Sequence, residues 1–143
     1  MTISDIYSID KRSDIMSKVR QEGTKAEILI RRFLFPHGFR YRKNDKRYPG
    51  KPDIVLPKYR MIIFVHGCFW HGHVNCKAAE LPKTNTDFWK KKISENIARD
   101  QKNIETLRKE GWNVITIWQC EIEIKNKRKA RLDLLLEEII NRR

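Results

Sequence analysis

No apolar run in the chain approaches the ~18 residues that a membrane span requires, so no transmembrane helix is expected. The opening stretch, "MTISDIYSIDKRSDIM", lacks the apolar region and small-residue cleavage site of a secretory signal. The cytoplasm is therefore the expected compartment. No internal repeat, low-complexity tract or linker interrupts the 143 residues, a length that suits one domain with an ordinary core. Cysteine is scarce and odd in number, three in all, which argues against a disulfide framework in a reducing compartment. Metal ligation and burial as small hydrophobes are the uses left. Acidic residues are short as well: 18 Asp and Glu face 31 Lys and Arg, a formal net charge of +13. The basic residues cluster in "RYRKNDKRYPGK" (40–51), "KKK" (90–92) and "KNKRKAR" (125–131). That balance points to a polyanionic partner, nucleic acid ahead of membrane, with mere solubility as the bland alternative. It does not tell DNA from RNA.

Helical and extended patterns alternate along the chain. "TKAEILIRRFLFPHG" (24–38) reads as a helix, with Thr24 and Glu27 as a capping box and Ile28, Leu29 and Leu34 on an apolar face. Pro36 and Gly38 stop it. "FRYRKN" (39–44) alternates like a strand, and after the turn "YPGKP" comes a second short strand, "DIVLP" (53–57). "MIIFVH" (61–66) is the apolar run of a central buried strand. Residues 86–111 form the longest helical pattern, carrying Ile93, Ile97, Ile104 and Leu107 at helical spacing and ending at Gly111. "WNVITIW" (112–118) is a further strand, and "KARLDLLLEEIINRR" (129–143) a closing amphipathic helix. The order is helix, three strands, helix, strand, helix. An α/β domain with one sheet layer and helices on both faces follows.

The segment "VHGCFWHGHVNC" (65–76) holds three of the four histidines and two of the three cysteines. Cys68, His73 and Cys76, joined by the distant Cys120, make a Cys3His donor set of the kind that holds structural Zn²⁺ with Zn–S distances near ~2.3 Å. The strands ending at His66 and Trp118 must be neighbours for Cys120 to reach. Buried thiols with unrelated histidines are the alternative. His66 and His71 stay outside this set. If the strands at 53–57 and 61–66 are antiparallel, Asp53 and His66 meet at one end of the sheet. A carboxylate and two imidazoles beside a basic surface suit phosphodiester cleavage: Mg²⁺ accepts one carboxylate and a backbone carbonyl, and a histidine with a pKa near ~6.5 accepts the proton of a water. A strand-end aspartate with surface histidines is the plainer reading.

In "PGKPDIV", "FVHGCFWHGH", "FWKKKISENIARD" and "GWNVITIWQC", the chain resembles the very short patch repair (Vsr) mismatch endonuclease family from about Lys11 to Cys120. The resemblance implies a restriction-endonuclease-like, three-layer αβββαβ core with a zinc-bound loop. It implies a bacterial, nucleoid-acting enzyme that nicks one strand of double-stranded DNA 5′ to the thymine of a T:G mismatch left by deamination of 5-methylcytosine. It assigns Mg²⁺ to Asp53 and the carbonyl of Val65, the general base to His71, and further active-site roles to His66 and Glu27. Glu27 can serve its helix cap at the same time. It assigns Zn²⁺ to Cys68, His73, Cys76 and Cys120, insertion into the base stack to Phe69, Trp70 and Trp89, and a DNA contact to Asn96. For Trp89 the alternative is ordinary packing of a helix face. An N-terminal arm or helix over 1–23 is expected to touch DNA, the protein to act as a monomer, and mismatch-repair proteins are candidate partners. The zinc loop departs from the family pattern: "GHVNC" runs one residue longer than its histidine-rich ending. "FVH" stands where restriction enzymes carry Glu-x-Lys, as in the family. A restriction-type nuclease cutting both strands of paired DNA, and a non-catalytic zinc-stabilised DNA-binding protein, are the alternatives.

Overall fold

The computed structural model describes residues 24–141. The expected arm over 1–23 lies outside the described residues. Helix α1 (Lys25–Leu34) starts where expected, because the Thr24 hydroxyl accepts the Glu27 N–H at 3.2 Å. It ends before Pro36, and Gly38, at φ +88°, turns the chain away.

The sheet runs β1 (Arg42–Lys43), β2 (Ile54–Leu56), β3 (Met61–His66) and β4 (Asn113–Trp118) in that spatial order. β1 and β2 pair antiparallel, as do β2 and β3, whereas β3 and β4 are parallel and joined across helix α2 (Thr86–Lys109). The strand expected over 39–44 shrinks to two residues. Both are exposed on the sheet edge, and Asn44 takes φ +49°, a left-handed conformation that ends the pairing.

Period-2 alternation divides the core in two. Met61, Ile63, Ile54, Leu56, Ile115 and Ile117 face α1 and the C-terminal helices. Ile62, Phe64, Val55 and Val114 face Leu107 of α2. At ~1.5–3 kcal/mol per buried aliphatic chain, this double-sided burial rather than strand length holds the three-residue β2 in place, and β1 is carried only by its pairing to β2. The three-layer α/β architecture and the αβββαβ order are as expected. The C-terminal region differs: a five-residue helix α3 (Gln119–Glu123) follows β4 directly, and α4 (Lys125–Asn141) begins four residues earlier than the apolar pattern indicates. The four residues that open α4, Lys125 to Arg128, are three strong helix formers and one Asn, and they carry no apolar periodicity to reveal them. No described helix is long and apolar enough to cross a membrane.

Candidate active site

The antiparallel register of β2 and β3 brings Asp53, the residue before β2, to the carboxyl end of β3. There the Val65 N–H donates to Asp53 Oδ2 at 2.6 Å. Burial lifts the Asp53 carboxyl to about 7; the Val65 hydrogen bond opposes this and the nearby Glu27 charge adds to it. Glu27 is itself buried, and its Oε1 accepts from Arg31 Nη1 at 2.7 Å and from Asn44 Nδ2 at 3.0 Å. Asn44 also donates its backbone N–H to the Asp53 carbonyl at 3.0 Å. One left-handed residue at the sheet edge thus ties both acids together.

His66 closes β3 on the α2 side, two residues beyond Phe64. Burial, then the neighbouring His71, lowers its pKa to about 4, so its ring is neutral at physiological pH. The His71 ring stacks on it, with centroids 3.9 Å apart and planes inclined by 3°. His71 Nδ1 lies 2.6 Å from Asp100 Oδ2 on α2. An ionised carboxylate only accepts, so the contact fixes the proton on Nδ1 and leaves the Nε2 lone pair to take a proton.

Three contacts dock the loop after β3 onto α2. His71 binds Asp100, Asn96 Nδ2 donates to the Trp70 carbonyl at 3.0 Å, and Gly72 sits directly on the helix. A Cβ at Gly72, where φ is +62°, would meet Ile97 Cδ1 at 2.7 Å and Ile93 Cγ2 at 2.9 Å. Asn96 is only 5% exposed, and its Oδ1 accepts from Arg99 Nη2 at 2.6 Å. Its amide is thus engaged inside the protein at both ends. Phe69, Trp70 and Trp89 gather in one edge-to-face cluster at 5.3–6.1 Å, joined by Phe88. Trp89 is the buried member at 4% exposure, while Phe88 is 49% exposed.

The second cluster is Cys68, His73, Cys76 and Cys120. Their donor atoms all lie within 4.8 Å of one another. The register explains how the remote cysteine arrives: His66 pairs with Trp118, so Cys68 and Cys120 each stand two residues past matched positions. His73 stacks on Trp118 at 4.1 Å, its Nδ1 lies 3.5 Å from Cys120 Sγ, and its N–H donates to the Cys68 carbonyl at 3.0 Å. A Zn–S tetrahedron has edges of ~3.8 Å, so slight side-chain rotation closes a Cys3His shell. Burial pushes the Cys68 thiol up to about 12 and also raises Cys120. Three sulfurs and an imidazole suit Zn²⁺ rather than a hard cation.

A cavity of about 600 Å³ opens over Asp53, His66, His71 and Asp100, with Lys25, Lys51, Lys92 and Arg99 among the residues lining it. Because a strand residue directs its N–H and C=O to the same side, the Val65 carbonyl faces the Asp53 side as well. Carboxylate and carbonyl oxygens suit a hard cation such as Mg²⁺. The structure therefore gathers Asp53, Val65, His66 and His71 at one site, with Glu27 behind Asp53. Trp70 and Asn96 reach the same cavity, whereas Phe69 and Trp89 pack beside it. Sequence reasoning missed Asp100, Asn44 and Gly72. Asp100 had a readable signal: it falls on the stripe that carries Ile93, Ile97, Ile104 and Leu107, where an acid is out of place.

A family model described as DNA mismatch endonuclease Vsr matches residues 4–78. The chain is 53% identical over 137 residues to the Type II nicking enzyme V.NmeAIP of Neisseria meningitidis serogroup A, covering 96% of this chain and 97% of that one. It is 43% identical to the Type II nicking enzyme V.XorIIP of Xanthomonas oryzae, over 94% of this chain and 98% of the other. With the DNA mismatch endonuclease Vsr of Escherichia coli it shares 36% identity, over 87% and 80% of the two chains.

Proposed function

The chain belongs to the Vsr family of DNA mismatch endonucleases, whose core is restriction-endonuclease-like, and on that premise we propose that it nicks one strand of duplex DNA 5′ to the thymine of a T:G mismatch. The observation that carries the reading is the His71–Asp100 pair set beside Asp53 in a cavity walled by cations.

Each residue has a part in that hydrolysis. Asp53 and the Val65 carbonyl would hold Mg²⁺, which when bound supplies Lewis-acid stabilisation of the charge that builds on the phosphate. His71 Nε2 takes the proton of the attacking water, and Asp100 holds the ring in the productive tautomer and offsets the charge it gains. His66, neutral beside it, orders the water or donates to a phosphate oxygen. Glu27, fixed by Arg31 and Asn44, backs Asp53. The cationic rim draws in the DNA backbone. Cys68, His73, Cys76 and Cys120 would hold Zn²⁺ as a brace for the loop bearing Phe69, Trp70 and His71. Phe69 and Trp70, with Trp89 behind them, wedge the weakened base step, because unstacking costs less at a mismatch. We take the enzyme to act as a monomer.

A gel assay with labelled T:G and fully paired duplexes tests this. A nick confined to one strand of the mismatched duplex is expected. Double-strand breaks in paired DNA would make the protein a restriction-type nuclease, and binding without any cleavage would make it a silent zinc-stabilised binder.

A further inference from the structure

We propose that Arg99, Asn96 and the Trp70 carbonyl form a relay through which a DNA backbone phosphate seated on Arg99 sets the loop that carries Trp70 and His71; this rests on the nuclease reading above.

The chain of contacts is continuous. Arg99 lies at the cavity wall with its side chain exposed, and one edge of its planar fork donates to Asn96 Oδ1 at 2.6 Å. The donor is a cation, so the bond is charge-assisted. The Asn96 amide passes the constraint inward, from Nδ2 to the Trp70 carbonyl at 3.0 Å. Trp70 is followed directly by His71, the proposed base. Packing makes the link stiff: Asn96 is 95% removed from solvent, and Gly72 on the far side of His71 rests on Ile93 and Ile97 of the same helix. A buried amide is costly unless both of its ends are bonded. The orientation of Asn96 is therefore tied to Arg99.

Arg99 is the loose end of this chain before DNA arrives. A guanidinium fork can serve two acceptors at once, which a Lys ammonium on a flexible stem does less well. A phosphate on its outer edge would remove the rotamer freedom of an exposed side chain and so fix Asn96 and the Trp70 carbonyl. Backbone engagement, wedge and base would then be set together. Asn96 is in this scheme a positioning residue, acting through the loop.

The test compares Arg99→Gln, Asn96→Asp and the double variant in single-turnover nicking of a T:G duplex. Binding is followed against salt, and a fluorescent base analogue beside the mismatch reports unstacking. Asn96→Asp keeps an acceptor for Arg99 and removes the donor to Trp70. Each single variant is expected to slow nicking by about tenfold or more and to dim the analogue, with the double variant no slower than the slower single. Arg99→Gln is expected to lower the salt slope of binding by roughly 1, and Arg99→Lys to restore that slope but not the rate. Multiplying losses in the double variant would overturn the relay, as would an unchanged salt slope in Arg99→Gln. If Asn96→Asp loses zinc or thermal stability, the exposed Arg99→Gln decides alone by its slope and analogue signal. If the wild-type protein fails to nick T:G duplex, the nuclease reading is what fails, and slope and analogue still decide the relay.

Discussion

His71 and Asp100 are 29 residues apart in sequence and meet at 2.6 Å, one on the loop after β3 and the other past the midpoint of α2. The pair makes the base depend on a helix that reads from sequence as scaffold. Replacing His71 by Ala is expected to lower the single-turnover nicking rate by roughly 10²–10⁴, the usual range for a positioned acid–base group. Asp100→Asn should lower it as well, since an amide can stabilise the wrong tautomer, while DNA binding by gel shift stays intact. Wild-type rates in both variants would make the pair a structural contact.

Zinc content gives the second prediction. One tightly held Zn²⁺ per chain is expected by elemental analysis, and Cys120→Ala should lower it while loosening the loop that β3 and β4 brace together. Structural zinc contributes on the order of 10–16 kcal/mol of binding in small fingers, so its loss cannot be silent. A zinc-free protein, with Cys120→Ala as stable as wild type, would leave the cluster as buried thiols.

The two tryptophans should separate. Trp89 is buried against Phe69, Trp70 and Phe88, so Trp89→Ala is expected to cost about 3–5 kcal/mol in chemical denaturation, as a large-to-small core change does. Trp70 is half-buried at the cavity, and Trp70→Ala should spare most of the stability yet reduce the preference for T:G over paired DNA. Equal stability losses with an unchanged preference would assign both rings to the core.

Asp53 and His66 oppose each other in their linkage to pH. The Asp53 carboxyl titrates at about 7 in the fold against 3.8 unpaired, so the native state holds the extra proton and stability falls as pH rises from about 4 to 7. The His66 ring titrates at about 4 against 6.5, so the unfolded state holds the extra proton and stability rises from about 4 to 6.5. The two slopes largely cancel in the Mg²⁺-free wild type. Asp53→Asn should uncover a thermal midpoint that climbs over this window, and His66→Gln one that descends. Parallel profiles for the two variants would contradict the assignment.

Much of this was legible beforehand, for reasons that differ by element. The β3 strand, 61–66, is read in full because five apolar residues in a row, Met61 to Val65, have no other home. Thr24 declares the start of α1, and the Cys and His spacing declares the metal-type cluster. Asn44 and Gly72 stayed hidden because their value lies in backbone conformation and in contacts across the fold, which no local pattern carries. Asp100 was hidden differently: an acid on an apolar stripe is visible, but its partner is 29 residues away. The early start of α4 was masked by charge, which reads as a DNA-binding cluster before it reads as a helix.

The central claim, that Asp53 and His71 work as one catalytic site, is tested most directly by single-turnover nicking of an end-labelled T:G duplex with Asp53→Ala, with gel-shift binding measured on the same duplex and zinc content on the same sample. Nicking nearly abolished, with binding and zinc retained, is the expected result. Nicking at the wild-type rate by Asp53→Ala would contradict it and move the chemistry elsewhere in the molecule.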